Sequence, residues 1–348
     1  MLKEQNAICC WLKWCNDNEI KPWLFDFKQF FRDSVWTSDK INDETHLNEW
    51  LLYKFEKKYS ENVKKVPPLL NCFEKGKKVD KDPDKIARPI YKVLGWIDSN
   101  SIHADGDQMN SFQTTFTQLF AIKSSNRGRT NGAPFSDENL ECYRKHYFEQ
   151  IPEVSDLFKE MVQDLQQSPQ NSKQNIFNEF AFRKNELIFK NLKEFAGLTH
   201  SIGNFIVMPV KYNLVRGSAE QVRDYWDLSL QVIHDLFYSA GDIGRSAWKN
   251  FVEQFYLQPF VRRNDYSVGE LWTGHLTGQI YPQSSVQVEE FYYRVNMLIE
   301  ERGKWITRIL CEKLDSELDS ETKKFYLKEL KLGSMDHIRF YDEIIEKE

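Results

Sequence analysis

The sequence predicts a mainly α fold, a multi-helix domain with a small β element near residues 202–210. Apolar residues recur at helical spacing over long stretches, most clearly at Val288, Phe291, Tyr292, Val295, Leu298 and Ile299. Glycine is sparse, 15 in 348 residues, which disfavours a β-sandwich or a Gly-rich nucleotide fold. Ile202–Val210 is the best strand candidate, being short, rich in apolar and β-branched residues and closed by Pro209. Hydrophobic residues make up 41% of the chain and aromatics 14%, enough apolar surface to offset chain entropy in a large core.

Taken in order, Ile8, Trp11, Leu12 and Cys15 predict a first helix, and Leu47, Trp50, Leu51 and Phe55 a second. Between them Pro22–Phe27 and Phe30–Phe31 form an aromatic connection expected to pack on the core. Pro67–Pro68 and the charged Lys75–Pro83 stretch mark residues 66–86 as a surface connection. The expected organisation is an N-terminal helical extension, residues 1–75, and a main α-rich domain, residues 76–348. Residues 98–139 are dense in turn chemistry around a short helix at Ser111–Ile122. A helix follows with the stripe Val154, Leu157, Phe158, Met161, Val162 and Leu165, then another from about Ile176 to Glu194, ending before Gly197.

Beyond Gly217, Val222, Tyr225, Trp226, Leu230, Ile233 and Phe237 share one helical face, which leaves Asp224, Asp227, Gln231 and His234 on the other. A helix over Ala247–Gln258 comes next, and Arg262–Gln283, with three glycines and a proline, reads as a long loop. Ser284 and Gln287 form a capping box for the strongest helix, whose stripe extends through Trp305, Ile306 and Ile309. Shorter charged helices close the chain.

The net charge of −5 gives no general attraction to phosphate backbones, so nucleic acid is left open as a partner but is not favoured. No apolar run reaches membrane-spanning length, and the first residues run into an amphipathic pattern, not a signal-peptide core. The expectation is a soluble, cytoplasmic protein without a membrane partner. Six cysteines at positions 9, 10, 15, 72, 142 and 311 show no C-x-x-C pair, which fits reduced thiols. The signatures of P-loop ATPases, dinucleotide-binding folds, serine hydrolases and zinc proteases are absent, and the sequence leaves any cofactor unknown.

Asp82-Pro-Asp84, Leu94-Gly-Trp96, Gly106–Phe112, Ile202–Phe205, Pro209, Asn213, Arg216-Gly217 and Asp224–Leu230 together resemble bacterial proteins of a domain-of-unknown-function family. The likeness covers residues 80–310 and implies no activity. A weaker likeness is to HNH-type restriction endonucleases, whose His-x-x-Gly-Asn stretch and later Asn match the spacing of His200, Gly203, Asn204 and Asn213. That resemblance implies a metal-dependent nuclease or phosphodiesterase with His200 as the catalytic base. The acidic-His-Ile-x-Pro segment such enzymes carry upstream is missing; His146–Pro152 departs from it, and Asp336-His337-Ile338 lies on the wrong side.

The residue types nevertheless concentrate in one region. His200, Asn204, Asn213, Arg216 and Asp227, with Asp107 and Asn110 from the earlier loop, are the candidate pocket residues. A forked guanidinium anchors charge, Asn side chains orient a ligand, and His200 moves a proton if the site is catalytic. The expected partner is a small anionic or amide-bearing ligand. Bland readings stand beside this one: His200 bonded to backbone, the Asn side chains holding turns, and Arg216 paired with Asp224 or Asp227. His103-Ala-Asp105-Gly-Asp107 has metal-like ligand types at alternate positions but also suits a surface turn. Arg127-Gly-Arg129 and Arg262-Arg263 followed by Tyr266 are thin basic patches. A binding protein and a nuclease are the two classes carried forward.

Overall fold

In the computed structural model, residues 2–25, 27, 87–97, 104–108, 191, 194–195, 197–209, 225–277, 282–330 and 337–346 are described. The expected helices around Leu47–Phe55, Ser111–Ile122 and Val154–Leu165, the Arg127–Arg129 loop, Cys72, Cys142 and the boundary at residue 75 lie outside them.

Helix α1, Leu2–Asp17, forms where the Ile8, Trp11, Leu12 and Cys15 stripe predicts it, and all four side chains are fully buried. A 3-10 turn at Pro22–Leu24 follows, its proline preset for the first turn. Trp23, Phe25 and Phe27 pack inward as the aromatic connection requires, with Phe25 edge-on to Trp11 and Trp14. Phe27 touches Phe205, so these N-terminal residues belong to the same core as the centre of the chain. Helix α2, Arg88–Leu94, was not anticipated, although Pro89 near its start and Gly95 beyond its end are the usual punctuation. Gly95 closes it in the left-handed region, φ 79°. Lys92 on α2 pairs with Glu4 on α1 at 2.8 Å.

Strand β1, Ala104–Gln108, pairs antiparallel with β2, Phe205–Pro209; Ala104 lies opposite Pro209 and Gln108 opposite Phe205. The small β element thus stands where expected, and its partner comes from the turn-rich 98–139 region. Of the helix expected to end at Glu194, helical backbone is seen at 191, 194–195 and 197–198, so it passes through Gly197. Its terminal carbonyls are taken by side chains: Thr199 Oγ1 donates to Phe195 O and Ser201 Oγ to Leu198 O. A 3-10 turn at Ile202–Asn204 leads into β2.

Helices α3, Trp226–Tyr238, and α4, Gly241–Gln254, form a hairpin. The turn between them is tight because Gly241 takes φ 66° and a Cβ on Gly244 would collide with Phe237 O. Helix α4 starts and ends earlier than expected, since Gln258–Phe260 form a separate 3-10 turn. The chain from Arg262 to Thr277 is irregular, as its glycines indicate, apart from an isolated bridge between Val261 and Val268.

The organising element is α5, Ser285–Lys313, against which the three 3-10 turns and α2 pack. Half of its expected capping box is present: Ser284 Oγ accepts from Gln287 N, but the Gln287 side chain accepts from Gln283 N. Val288, Phe291, Tyr292, Val295, Leu298, Ile299 and Ile306 are fully buried. At about 25 cal/mol per Å2 of apolar area, each such side chain stabilises the fold by roughly 1.5–3 kcal/mol. Helix α6, Ser320–Glu329, is capped by Asp319, whose carboxylate accepts from the Glu321 and Thr322 amides. Helix α7, Tyr341–Ile344, ends the described chain and packs on the Gln258–Phe260 turn. Among the described residues no helix is long and apolar enough to cross a membrane.

Candidate functional site: a buried aspartate–histidine pair

The residues around His200 form a junction between β2, α3 and α5. Gly203 has no side chain because α5 passes directly over it: a Cβ there would collide with the Ile299 carbonyl. Gly303 on α5 faces it, and a Cβ there would meet Trp23. Two glycines from distant parts of the sequence thus let backbone pack on backbone. Asn204 is buried with both ends of its amide engaged, donating to Thr199 O at 2.8 Å and accepting from Trp226 Nε1 at 2.9 Å. His200 is buried, and its carbonyl accepts from Phe27 N.

Arg302 completes this junction. It lies inside the apolar stripe of α5, fully buried, four residues beyond Leu298 and four before Ile306. Its guanidinium donates to Gly203 O, Phe205 O and, through two nitrogens, Phe255 O, at 2.6 to 3.2 Å. The rings of Trp96 and Trp226 lie 5.4 and 5.2 Å from its central carbon. Desolvation pulls its pKa down from 12.5 to about 9, which leaves it a cation at neutral pH. Among the described residues, carbonyl dipoles and indole faces stand where a buried charge normally has a counter-ion.

Trp226 opens α3, and the next residue is Asp227. The sequence pattern puts Asp227 on the polar face of this helix, but it is buried, because the 270–277 segment covers that side. Its Oδ1 accepts from Leu228 N at 2.9 Å, and its Oδ2 from Leu271 N at 2.8 Å and from the His275 ring at Nδ1, 2.6 Å away. A carboxylate in the first turn of a helix also sits favourably in the helix dipole. Side-chain exposure is 1% for Asp227 and 0% for His275.

His275 is held by one hydrogen bond and two aromatic rings. Its ring stacks on Trp272 with centroids 3.4 Å apart and planes 22° from parallel, and Tyr225 meets it edge-on at 5.0 Å. The segment carrying it is braced from outside: the Glu270 carboxylate accepts from Gly274 N and Leu276 N, and Glu290 accepts from Thr273 N. Arg294 donates to Glu270 O and to the Thr273 hydroxyl. Gly274 takes φ 89°, a conformation open to glycine, and thereby presents His275 to Asp227.

The two imidazole nitrogens have different surroundings. Since a carboxylate accepts, Nδ1 carries a proton, and in the neutral ring Nε2 is then a bare acceptor. That atom is buried and has no hydrogen-bond partner among the described residues, and the same holds for the indole Nε1 of the stacked Trp272. An imidazole oriented by a carboxylate, with its second nitrogen open, is able to accept a hydrogen bond or a proton from a group that reaches it.

The sequence-predicted residues are therefore distributed as follows. Asp227 is at this centre, Asn204 and His200 are in the adjoining junction, and Asp107 lies opposite Ile206 in the β ladder. Asn110, Asn213 and Arg216 lie outside the described residues. The partner weighed for Asp227 is Arg216; among the described residues the aspartate's carboxylate is taken by Leu228 N, Leu271 N and the His275 ring. Arg262 and Arg263 are engaged with C-terminal carboxylates, Arg262 with Glu346 at 3.0 Å and Arg263 with Glu343 at 2.8 Å. Sequence reasoning missed His275, Trp272 and Arg302. An arginine at an apolar stripe position was a readable signal for the last; Trp-Thr-Gly-His in a long loop was a fainter one for the others. Comparison with known proteins gives no match: no family model fits the sequence, and no curated protein and no solved structure is similar to it.

Proposed function

We propose that this is a binding protein for a small polar ligand, anionic or amide-bearing, recognised at the Asp227–His275 pair. The observation that carries this reading is Nε2 of His275, a polar atom buried among aromatic rings, fixed from behind by a carboxylate and meeting no hydrogen-bond partner among the described residues. A buried polar atom without a partner costs about 1–3 kcal/mol, and a ligand that completes it recovers that loss. The ordered scaffold around it is what ligand recognition requires, because a preorganised site leaves less entropy to be lost on binding.

Gly203 and Asn204, which carry the nuclease-like spacing, are engaged in packing, so the geometry favours the binding class. The same proposal puts the protein in solution in the bacterial cytoplasm, in line with the sequence resemblance and with the free thiols of Cys9, Cys10, Cys15 and Cys311. Thermal unfolding in acetate, phosphate, acetamide and 2-pyrrolidinone, each at tens of millimolar, tests the reading. At least one raises the Tm of the native protein and leaves that of His275→Gln unchanged. If none stabilises the native protein selectively, the site is not a recognition centre.

A further inference from the structure

Resting on that reading, we infer that residues 337–346 are a releasable strap that holds the 269–277 segment shut over Asp227 and His275, so that access to the pair is controlled by the C-terminal part of the chain. As it stands the pair is sealed, with side-chain exposures of 1% and 0%. Its cover has to move before a ligand can enter. Leu271 N and the His275 ring bond the 269–277 segment to Asp227, and the strap grips the same segment at Gly269 and Glu270.

Tyr341 is the grip. Its N–H donates to Val261 O at 3.0 Å and its hydroxyl to Glu270 O at 2.6 Å, while Arg294 donates to the hydroxyl oxygen. The ring fills the space beside Gly269, where a Cβ would stand 2.3 Å from it. Glu270 passes the contact on, because its carboxylate accepts from Gly274 N and Leu276 N, the residues on either side of His275. Next to Tyr341, Phe340 packs edge-on to Tyr266, a residue at φ 58° in the turn between Val261 and Val268. A bulky side chain keeps that backbone conformation only where its surroundings impose it, and the strap is part of those surroundings.

The fastening is of a kind that lets go. Ile338, Tyr341 and Ile344 are the strap's buried side chains, and much of the rest is ionic: Glu346 with Arg262, Glu343 with Arg263 and His337, and Arg339 with Glu301. The side chains of Arg262, Arg263, Arg339 and Glu346 are exposed, so water and salt compete for these bonds. A segment held this way opens at lower cost than the core does.

The test is backbone hydrogen exchange read by mass spectrometry on the full chain, with the reaction of His275 with diethyl pyrocarbonate as a second measure of access. Neither involves a ligand, so a Tm screen without a hit removes the recognition reading and leaves the strap standing. In the native protein the strap amides exchange faster than those of α5, and faster still in about 1 M sodium chloride. In Tyr341→Ala the Leu271, Gly274 and Leu276 amides exchange about tenfold faster and His275 reacts about tenfold faster, while α5 and the already exposed His337 are unchanged. Glu343→Gln loosens the strap without touching the 269–277 segment; the same pattern at about threefold is expected there, and this variant carries the test if Tyr341→Ala does not fold. Faster strap exchange with no change at Leu271, Gly274, Leu276 and His275 overturns the inference, because the strap would then lift without opening the cover. A uniform rise that includes α5 also overturns it, since the strap would then be part of the core.

Discussion

Two buried polar centres meet at the start of α3, one residue apart in sequence, and they are built to different standards of completeness. At Arg302 the guanidinium reaches three backbone carbonyls and lies between two indoles. At Asp227–His275 the carboxylate receives three donors, yet the imidazole Nε2 meets no hydrogen-bond partner among the described residues. The first joins β2, α4 and α5, and removing it would leave carbonyls stranded in the core. The second joins α3 to the 270–277 segment through bonds on one side only. Hydrogen-bond completeness among the described residues thus distinguishes the two centres, the Arg302 strut and the Asp227–His275 pair, where burial does not, since both are equally buried.

The largest expected effect probes the strut. Arg302→Met should lower the unfolding free energy by about 3–5 kcal/mol in urea titrations, because it strands the carbonyls of Gly203, Phe205 and Phe255. A loss below about 1 kcal/mol would mean the carbonyls find other partners and the contrast between the centres fails. Gly203→Ala comes next, with a loss of about 3 kcal/mol measured the same way, since the new methyl group must push α5 away. His275→Gln should cost only about 1 kcal/mol, one hydrogen bond at Nδ1, while abolishing probe binding. A stability loss as large as that of Arg302→Met would reclassify His275 as a second strut.

The smallest effect lies on the surface and calibrates the others. The Lys92 ammonium beside Glu4 holds its carboxyl at about 2, below the usual 4.5. A depressed carboxyl contributes stability above its ordinary pKa and loses it as pH falls, here from about 4.5 towards 2. The pair is partly solvated, so Lys92→Gln should flatten this acid limb by less than about 1 kcal/mol, read from chemical unfolding at successive pH values. A larger change would mean that α1 and α2 depend on this ion pair rather than on their apolar contact.

Local pattern made much of the fold legible. Ile8, Trp11, Leu12 and Cys15 can bury themselves together only on a helix, and they do. Ser284 marked the start of α5 because a hydroxyl there meets an orphan amide. The site was less legible. Asp227 was singled out for its chemistry but assigned to the polar face of α3, because helical periodicity says which residues share a face and not what later covers it. His200 and Asn204 drew attention as polar residues near a strand, and tertiary packing engaged Asn204 and the His200 carbonyl in the junction.

By itself the sequence determined the mainly helical class, the small β element ending at Pro209 and the long irregular stretch after Val261, since each follows from local spacing, turn chemistry and capping. Only the tertiary structure decided that Arg302 would be buried beside β2, that Gly203 would lie against Ile299, and that His275 would meet Asp227 from 48 positions away. These are contacts between segments whose separation in the chain carries no periodic signal. Their energies come from desolvation and hydrogen-bond completion, which exist only once the segments have packed.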